Sequence, residues 1–275
     1  MKDCFACTLS AFALSTCLAS SASAQALVST GQSFVTSELI PGAPDLDGTR
    51  MIGLDLVLAA DWKTYWRSPG EAGIPPAIDW AGSENLATAE IYWPAPSVFQ
   101  SFGMTTIGYE TRVTLPVRIT PVDAARPIDL QVAMDLGVCR EICVLERTTL
   151  QRSIPTDLVE GYERIAAAMA SVPVSGDALG LERAVCAFQG AGKDRAFDAR
   201  LTFEDTIEQP TVLLEGPEGI WFHSAETTGF GEDVAVRATM SLLFDDAWIS
   251  RQDVRMTLLA EGVAADIQGC EAPNG

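Results

Sequence analysis

Histidine is almost missing from this 275-residue chain: there is one, His223. A Ser-His-Asp or Cys-His hydrolase needs a histidine placed beside its nucleophile, and nothing around His223 suggests such a site. A structural zinc centre wants four Cys or His ligands, which a lone histidine far from the cysteine pair at 139 and 143 does not supply. Positive charge is also scarce, with 18 Lys and Arg against 37 Asp and Glu and a net charge of −19. A chain of that sign is repelled by phosphate backbones, so nucleic acid is excluded as a partner. Its acidity reads first as a solubilising surface and second as a docking surface for a basic protein. There is no phosphate-binding glycine loop and no dinucleotide fingerprint. "DLDGTR" at 45–50 opens like a calcium loop, but its twelfth position is Leu56 where a glutamate is needed, so it reads as a β-turn. Beyond the N-terminus no run approaches the ~18 apolar residues that cross a bilayer, so no stable membrane insertion is expected.

What is present begins with "MKDCFACTLSAFALSTCLASSASA", residues 1–24. A lysine, an apolar stretch and a closing Ala22-Ser23-Ala24 read as a secretory signal cleaved before Gln25. A lipid anchor at Cys17 is the alternative, and Thr16 just before that cysteine fits it poorly. Cys4, Cys7 and Cys17 leave with the signal, and Lys2 with Asp3 leaves the net charge unchanged. The remaining four cysteines, Cys139, Cys143, Cys186 and Cys270, form an even set in an exported chain, which favours two disulfides among three possible connectivities.

The mature chain of about 250 residues suffices for one large or two small domains. "RVTLPVRI" and "IDLQVAMD" alternate strictly, as strands with one buried face do. Pro116 falls in the polar register of the first, which predicts an edge or bulged strand. "MIGLDLVLA", "WKTYW" and "LATAEIYW" read as further strands between Pro/Gly/Asp-rich turns. Trp62, Tyr65, Trp66, Trp80 and Trp93 read as core of this half, with the option that one or two line a docking groove. A single helix is expected from about Thr156, its N-cap, to Ala170. "SVPVSGDALG" then has linker composition, and "AFDARLTF" and "VRMTLLA" open a second set of alternating strands. The pattern is that of two β-sandwiches joined by a helical linker.

The pair in "AMDLGVCREICVLE" can close a disulfide if a tight hairpin joins the flanking strands. So short a loop adds little stability, because the stabilisation grows with loop length. That argues for exchange, with an inert disulfide and a metal site as the other readings. Arg140 would favour a thiolate at Cys139 and Glu141 would oppose it. Cys186 and Cys270 bracket the second set of strands; a bridge between them would close more than 80 residues, and it reads as structural.

"DWKTYWRSPGEAGIPPAIDW", "YWPAPSVFQSFGMTTIGYETRVTLPVRI" and "VAMDLGVCREICVLE" resemble, in this order, the N-terminal periplasmic domain of DsbD-type thiol:disulfide interchange proteins. The likeness is closest to the branch associated with suppression of copper sensitivity and covers residues 30–155. It implies an immunoglobulin-like sandwich in the periplasm. Its cysteine pair takes electrons from a membrane-embedded thiol reductant and gives them to thioredoxin-like or other disulfide-bearing periplasmic proteins, with cytochrome c biogenesis and copper tolerance among the pathways served. By position Cys139 and Cys143 are that pair; the family's chemistry makes Cys143 the attacking cysteine and Cys139 the resolving one. A cap loop is implied at Ser101, Phe102, Gly103 and Met104, with Tyr109 as the tyrosine seven residues after the cap phenylalanine. No bound cofactor is implied. The chain lacks the family's membrane and thioredoxin-like portions and has no CxxC beyond the expected signal peptide, so it reads as a free-standing relay.

The expected fold is thus all-β: two immunoglobulin-like β-sandwich domains joined by a short helical linker. The boundaries are a signal peptide at 1–24, an interchange domain at 25–155, a linker at 156–176 and a second sandwich at 177–275. The rival function is a non-catalytic binding or assembly module with permanent disulfides.

Overall fold

The computed structural model describes residues 33–273 apart from 102, 230 and 245–248; the expected signal peptide lies outside the described residues. The alternating patterns become antiparallel strands that pair into four sheets. In the first half one sheet has the order β1 (Val35–Pro44), β2 (Arg50–Leu58), β8 (Arg112–Pro121), β5 (Leu86–Ile91). The facing sheet runs β10 (Cys143–Ile154), β9 (Ile128–Cys139), β3 (Lys63–Gly70), β7 (Met104–Glu110), β6 (Ser97–Ser101), and β4 (Ala77–Asp79) also pairs with β9. Between them lies a core fed by the period-2 residues. Ile128, Leu130, Val132, Met134, Leu136 and Val138 of β9 all point inward, against Leu54, Leu115, Val117 and Trp66.

The second half repeats the plan. One sheet orders β12 (Leu181–Gln189), β13 (Asp194–Ile207), β16 (Gly231–Leu242), β15 (Ile220–Thr228); the other orders β11 (Val174–Ser175), β18 (Val263–Gln268), β17 (Arg255–Ala260), β14 (Thr211–Glu215). Phe197, Ala199, Leu201 and Phe203 of "AFDARLTF" and Met256 and Leu258 of "VRMTLLA" fill this second core. The architecture is all-β and immunoglobulin-like. The halves are in contact: Leu213 of β14 is buried in the first core and Leu259 of β17 packs against it.

Three local expectations are corrected. Pro116 is neither at an edge nor bulged. It is buried in β8, between β2 and β5, in unbroken register with Gly53. The β5 ladder stops one residue short, at Ile91 opposite Val117. Only the Pro116 carbonyl is used there, accepting from the Tyr92 N–H at 2.8 Å, so the absent N–H is not missed.

The helix, α1, spans only Tyr162–Met169, and its N-cap is Gly161 at φ 70° rather than Thr156. Carbonyls that would open an earlier helical turn are claimed elsewhere. The buried Arg50 guanidinium donates to the carbonyls of Pro155, Thr156 and Leu158, and to that of Pro41. Glu160 exchanges two backbone hydrogen bonds with Gly42. A Cβ on Gly161 would stand 2.1 Å from the Ile40 side chain, so the chain turns into the helix through a glycine.

Nor is "SVPVSGDALG" a loose connector: Val174 and Ser175 pair in parallel with Ala265 and Asp266 of β18. "DLDGTR" forms a turn closed by the Gly48 N–H on the Asp45 carbonyl at 3.0 Å.

Candidate functional site

β9 ends at Cys139 and β10 begins at Cys143, and the two residues face each other as the last rung of the hairpin. Arg140, Glu141 and Ile142 make the turn, closed by the Arg140 N–H on the Ile142 carbonyl at 3.1 Å. A hairpin this tight places the Cα atoms 4.1 Å apart, and the sulfurs are joined as a disulfide. Cys139 falls in the register of Asp135 and Gly137, on the face of the sheet turned away from the core.

The two sulfurs live in different surroundings. Cys139 is buried, at 8% exposure, while Cys143 is exposed on β10, which is the edge strand of its sheet. Ile142 beside it is 68% exposed, and Leu145, the next outward residue of β10, is also exposed. An incoming thiolate therefore meets Cys143 first, within an apolar rim.

Tyr65 covers the inner sulfur. Its hydroxyl lies 2.8 Å from Cys139 Sγ and 3.5 Å from Cys143 Sγ. A disulfide sulfur carries no proton, so the hydroxyl donates. Burial pushes the Tyr65 phenol above its ordinary pKa, so it stays protonated, and remains a donor, at neutral pH. Glycine makes room for the ring. A Cβ on Gly137 would lie 3.0 Å from Tyr65 Cδ2 and 2.7 Å from the Ile74 side chain. On the other flank Gly108 is Tyr65's ladder partner in β7. The segment between β3 and β4 passes the tyrosine, where a Cβ on Gly73 would lie 2.7 Å from Tyr65 Cδ1 and Ile74 sits beside Gly137.

Tyr65 was expected in the core with the tryptophans. Trp62 and Trp66 are in the core, and Trp80 and Trp93 pack against it, but Tyr65 is buried on the opposite face. The signal was in "WKTYW": alternation puts Trp62, Thr64 and Trp66 on one face and Lys63 and Tyr65 on the other. Lys63 is the ladder partner of Cys139. Its ammonium pairs with Glu110 at 3.2 Å and sits 3.9 Å over the Phe99 ring. Phe99 and Ile74 were not singled out in the sequence, and nothing in their spacing marks them.

The other expected residues are placed as follows. Arg140 is exposed and its guanidinium lies 6.0 Å over the Trp62 ring, which Phe34 stacks on at 3.7 Å. Glu141 is exposed at the turn. Tyr109 is buried and donates to the Pro94 carbonyl at 2.8 Å; burial raises its pKa beyond the ordinary phenol range. Ser101 pairs with Met104 across the β6–β7 turn, where Gly103 takes φ 80° and Met104 is exposed. Phe102 lies outside the described residues. Glu110 shares the row of Lys63 and Cys139, so Met104, at the far end of β7, starts roughly 20 Å up the strand from that row.

Cys186 and Cys270 form the second disulfide, buried in the second core and tying the segment after β18 to β12. Backbone hydrogen bonds flank it, from the Cys186 N–H to the Glu271 carbonyl and from the Glu271 N–H to the Ala184 carbonyl. His223 Nε2 lies 2.8 Å from Ser241 Oγ, whose hydroxyl donates to Asp194. The carboxylate is on the serine and not on the imidazole, which is no hydrolase arrangement. Among the described residues no group of three or more His, Cys, Asp or Glu is placed to hold a metal ion, and no helix is long and apolar enough to cross a membrane.

An immunoglobulin-like sandwich that carries a two-cysteine disulfide at the tip of an edge hairpin, one sulfur open and one sheltered, defines a class of thiol:disulfide interchange modules. Residues 32–155 match the family described as thiol:disulfide interchange protein DsbD, N-terminal. The whole fold is similar to the N-terminal periplasmic domain of ScsB from Proteus mirabilis, with a TM-score of 0.67 at 23% identity, covering 87% of this chain and 92% of that one. No curated protein sequence matches the chain.

Proposed function

We propose that this protein works in the periplasm as a thiol:disulfide exchanger. In this reading it relays reducing equivalents from a membrane-embedded thiol reductant to disulfide-bearing, thioredoxin-like proteins. The observation that carries the reading is the asymmetry of the pair: an exposed Cys143 at the hairpin tip and a buried Cys139 under the Tyr65 hydroxyl.

In the reduced state the Cys143 thiolate attacks one sulfur of the partner's disulfide and expels the other as a thiolate, which takes a proton. The mixed disulfide places Cys143 Sγ within reach of Cys139, since the two residues share one rung. Cys139 gives up its proton and attacks Cys143 Sγ. The partner's second thiolate leaves and takes up a proton, so that, with the proton Cys143 shed in forming its thiolate, two electrons and two protons have passed to the partner. Tyr65 donates to the sulfur of Cys139 as it gives up its proton, which favours the thiolate that attacks. No cofactor takes part. Ile142 and Leu145 form the rim on which a partner docks.

The test is the reduction potential of Cys139–Cys143 in glutathione buffers, with Cys186 and Cys270 followed separately by mass. A value of roughly −180 to −270 mV supports exchange; a value below about −300 mV marks a bond that resists reduction and overturns the proposal.

A further inference from the structure

The second sandwich holds the segment that crosses Tyr65 through the side chain of Glu71. Glu71 lies just past the end of β3, where the segment that crosses Tyr65 begins. Its Oε2 accepts the Thr105 N–H at 2.7 Å, and its own N–H donates to the Thr105 carbonyl at 2.8 Å. Thr105 is the second residue of β7, next to Met104. The other carboxylate oxygen, Oε1, accepts the Ser224 N–H at 3.1 Å, from β15 of the second sandwich.

Both flanks of this contact are shaped for it. Gly70 has φ 82°, and a Cβ there would stand 2.5 Å from the Thr105 carbonyl oxygen. Ser224 takes φ 52°, a left-handed value that a serine rarely adopts, inside the bulge where β15 slips register against β16 between His223 and Glu226. That bulge presents the Ser224 N–H to the carboxylate instead of to a neighbouring strand. Hydrogen bonds from the Thr105 and Ser224 N–H groups hold the Glu71 carboxyl below its ordinary pKa, against a smaller opposing effect of burial, and the nearby His223 adds to the lowering. Close by, Arg67 at the end of the same strand reaches Glu215 at 2.8 Å and Asp266 at 3.3 Å in the second sandwich, so the two halves are firmly joined on this side.

We infer that Glu71 is a positioning residue for disulfide exchange, a latch by which the second sandwich fixes the segment that holds Tyr65 over Cys139. The line of contact is continuous: Ser224 to the Glu71 carboxylate, Glu71 to Gly73 along the chain, Gly73 against the Tyr65 ring, and the Tyr65 hydroxyl onto Cys139 Sγ. The same carboxylate ties down the β6–β7 hairpin at Thr105. A partner that loosens Glu71 frees the cover and the hairpin together. The second sandwich is then a part of the exchange site. This rests on the exchange reading above.

The experiment measures the rate at which dithiothreitol reduces Cys139–Cys143 in the full chain, with alkylation and mass to keep Cys186–Cys270 apart. The proteins are the unaltered chain, Glu71→Ala, Glu71→Gln, Tyr65→Phe and Glu71→Ala with Tyr65→Phe. Loss of a charge-assisted latch lets Tyr65 drift from the Cys139 sulfur that leaves as a thiolate, and so lowers the rate about tenfold in Glu71→Ala and by less in Glu71→Gln, which keeps one acceptor oxygen. In the Tyr65→Phe background the same change has less than about a twofold effect, because the latch acts through the tyrosine. An unchanged or faster rate in both Glu71 variants overturns the inference, as does an equal slowing with and without the Tyr65 hydroxyl. Urea midpoints for every variant separate the latch from general loosening, and Glu71→Gln serves if Glu71→Ala does not fold. An exchange failure shows instead as an unreactive, low-potential disulfide in the unaltered chain.

Discussion

Removing one oxygen atom, by Tyr65→Phe, tests the chemistry of the site most directly. The ring stays in its slot between Gly137 and Gly108, so packing changes little, and what disappears is the donor 2.8 Å from Cys139 Sγ. An oxidised sulfur is a weak acceptor, whereas the thiolate formed on reduction is a strong one, so the hydroxyl stabilises the reduced form more. A hydrogen bond to a charged group is worth about 1.5–3 kcal/mol and one to a neutral group about 0.5–1.5. Taking about 1.4 kcal/mol as the difference between the redox states, the two-electron couple moves by about 30 mV. The sign is fixed: the reduced form loses its donor, so the potential of Tyr65→Phe becomes more negative by about 30 mV, and alkylation of the reduced Cys139 needs a higher pH. Glutathione equilibration at pH 7 reads the first, and the pH dependence of alkylation reads the second. A shift below about 10 mV, or one toward positive potential, would refute the reasoning and reduce Tyr65 to a cover.

Other consequences are as concrete. Cys139→Ala accumulates mixed disulfides through the exposed Cys143 with partner proteins, whereas Cys143→Ala does not, as gels without reductant will show. Replacing Cys186 and Cys270 by alanine opens a link between residues 84 apart and costs about 4 kcal/mol, while removing the link between residues 4 apart costs about 2; denaturant midpoints rank them. Arg50 is 2% exposed and its four hydrogen bonds to carbonyls vanish in Arg50→Met, which lowers stability by about 3 kcal/mol and shifts the urea midpoint without changing the slope. Burial opposes ionisation of Asp55, but hydrogen bonds from Arg112 and Thr114 and the charges of Arg112 and Arg164 outweigh it and hold the carboxyl below its ordinary pKa. The stability it contributes is present above the unfolded value of about 4 and is lost as pH falls through the folded value. Asp55→Asn therefore flattens the acid limb of a stability–pH curve, and an unchanged limb would place the acid sensitivity elsewhere.

The strands were legible residue by residue, because a strand with one buried face must alternate. "IDLQVAMD" and "AFDARLTF" bury the residues their period assigns. The cysteine hairpin was legible too, since two strands separated by three residues can only turn back. What misled were features settled by distant partners. Thr156 has the form of a helix cap, yet Arg50, more than a hundred positions away, takes the carbonyls the first turn would need. Pro116 has the form of an edge residue, yet the neighbouring strand ends where its missing N–H would have been used.

At the site the division is sharper. Sequence by itself determined which cysteines could share a hairpin, because only four follow the N-terminal segment and two of them stand four positions apart between strand patterns. Tertiary structure alone decided which sulfur is open, which hydroxyl lies on the other, and that Glu71 joins the second sandwich to the first. The reason is physical. Alternation and turn chemistry act between residues a few positions apart, while burial and hydrogen bonding at the disulfide depend on side chains 70 or more positions away, whose approach no local pattern encodes.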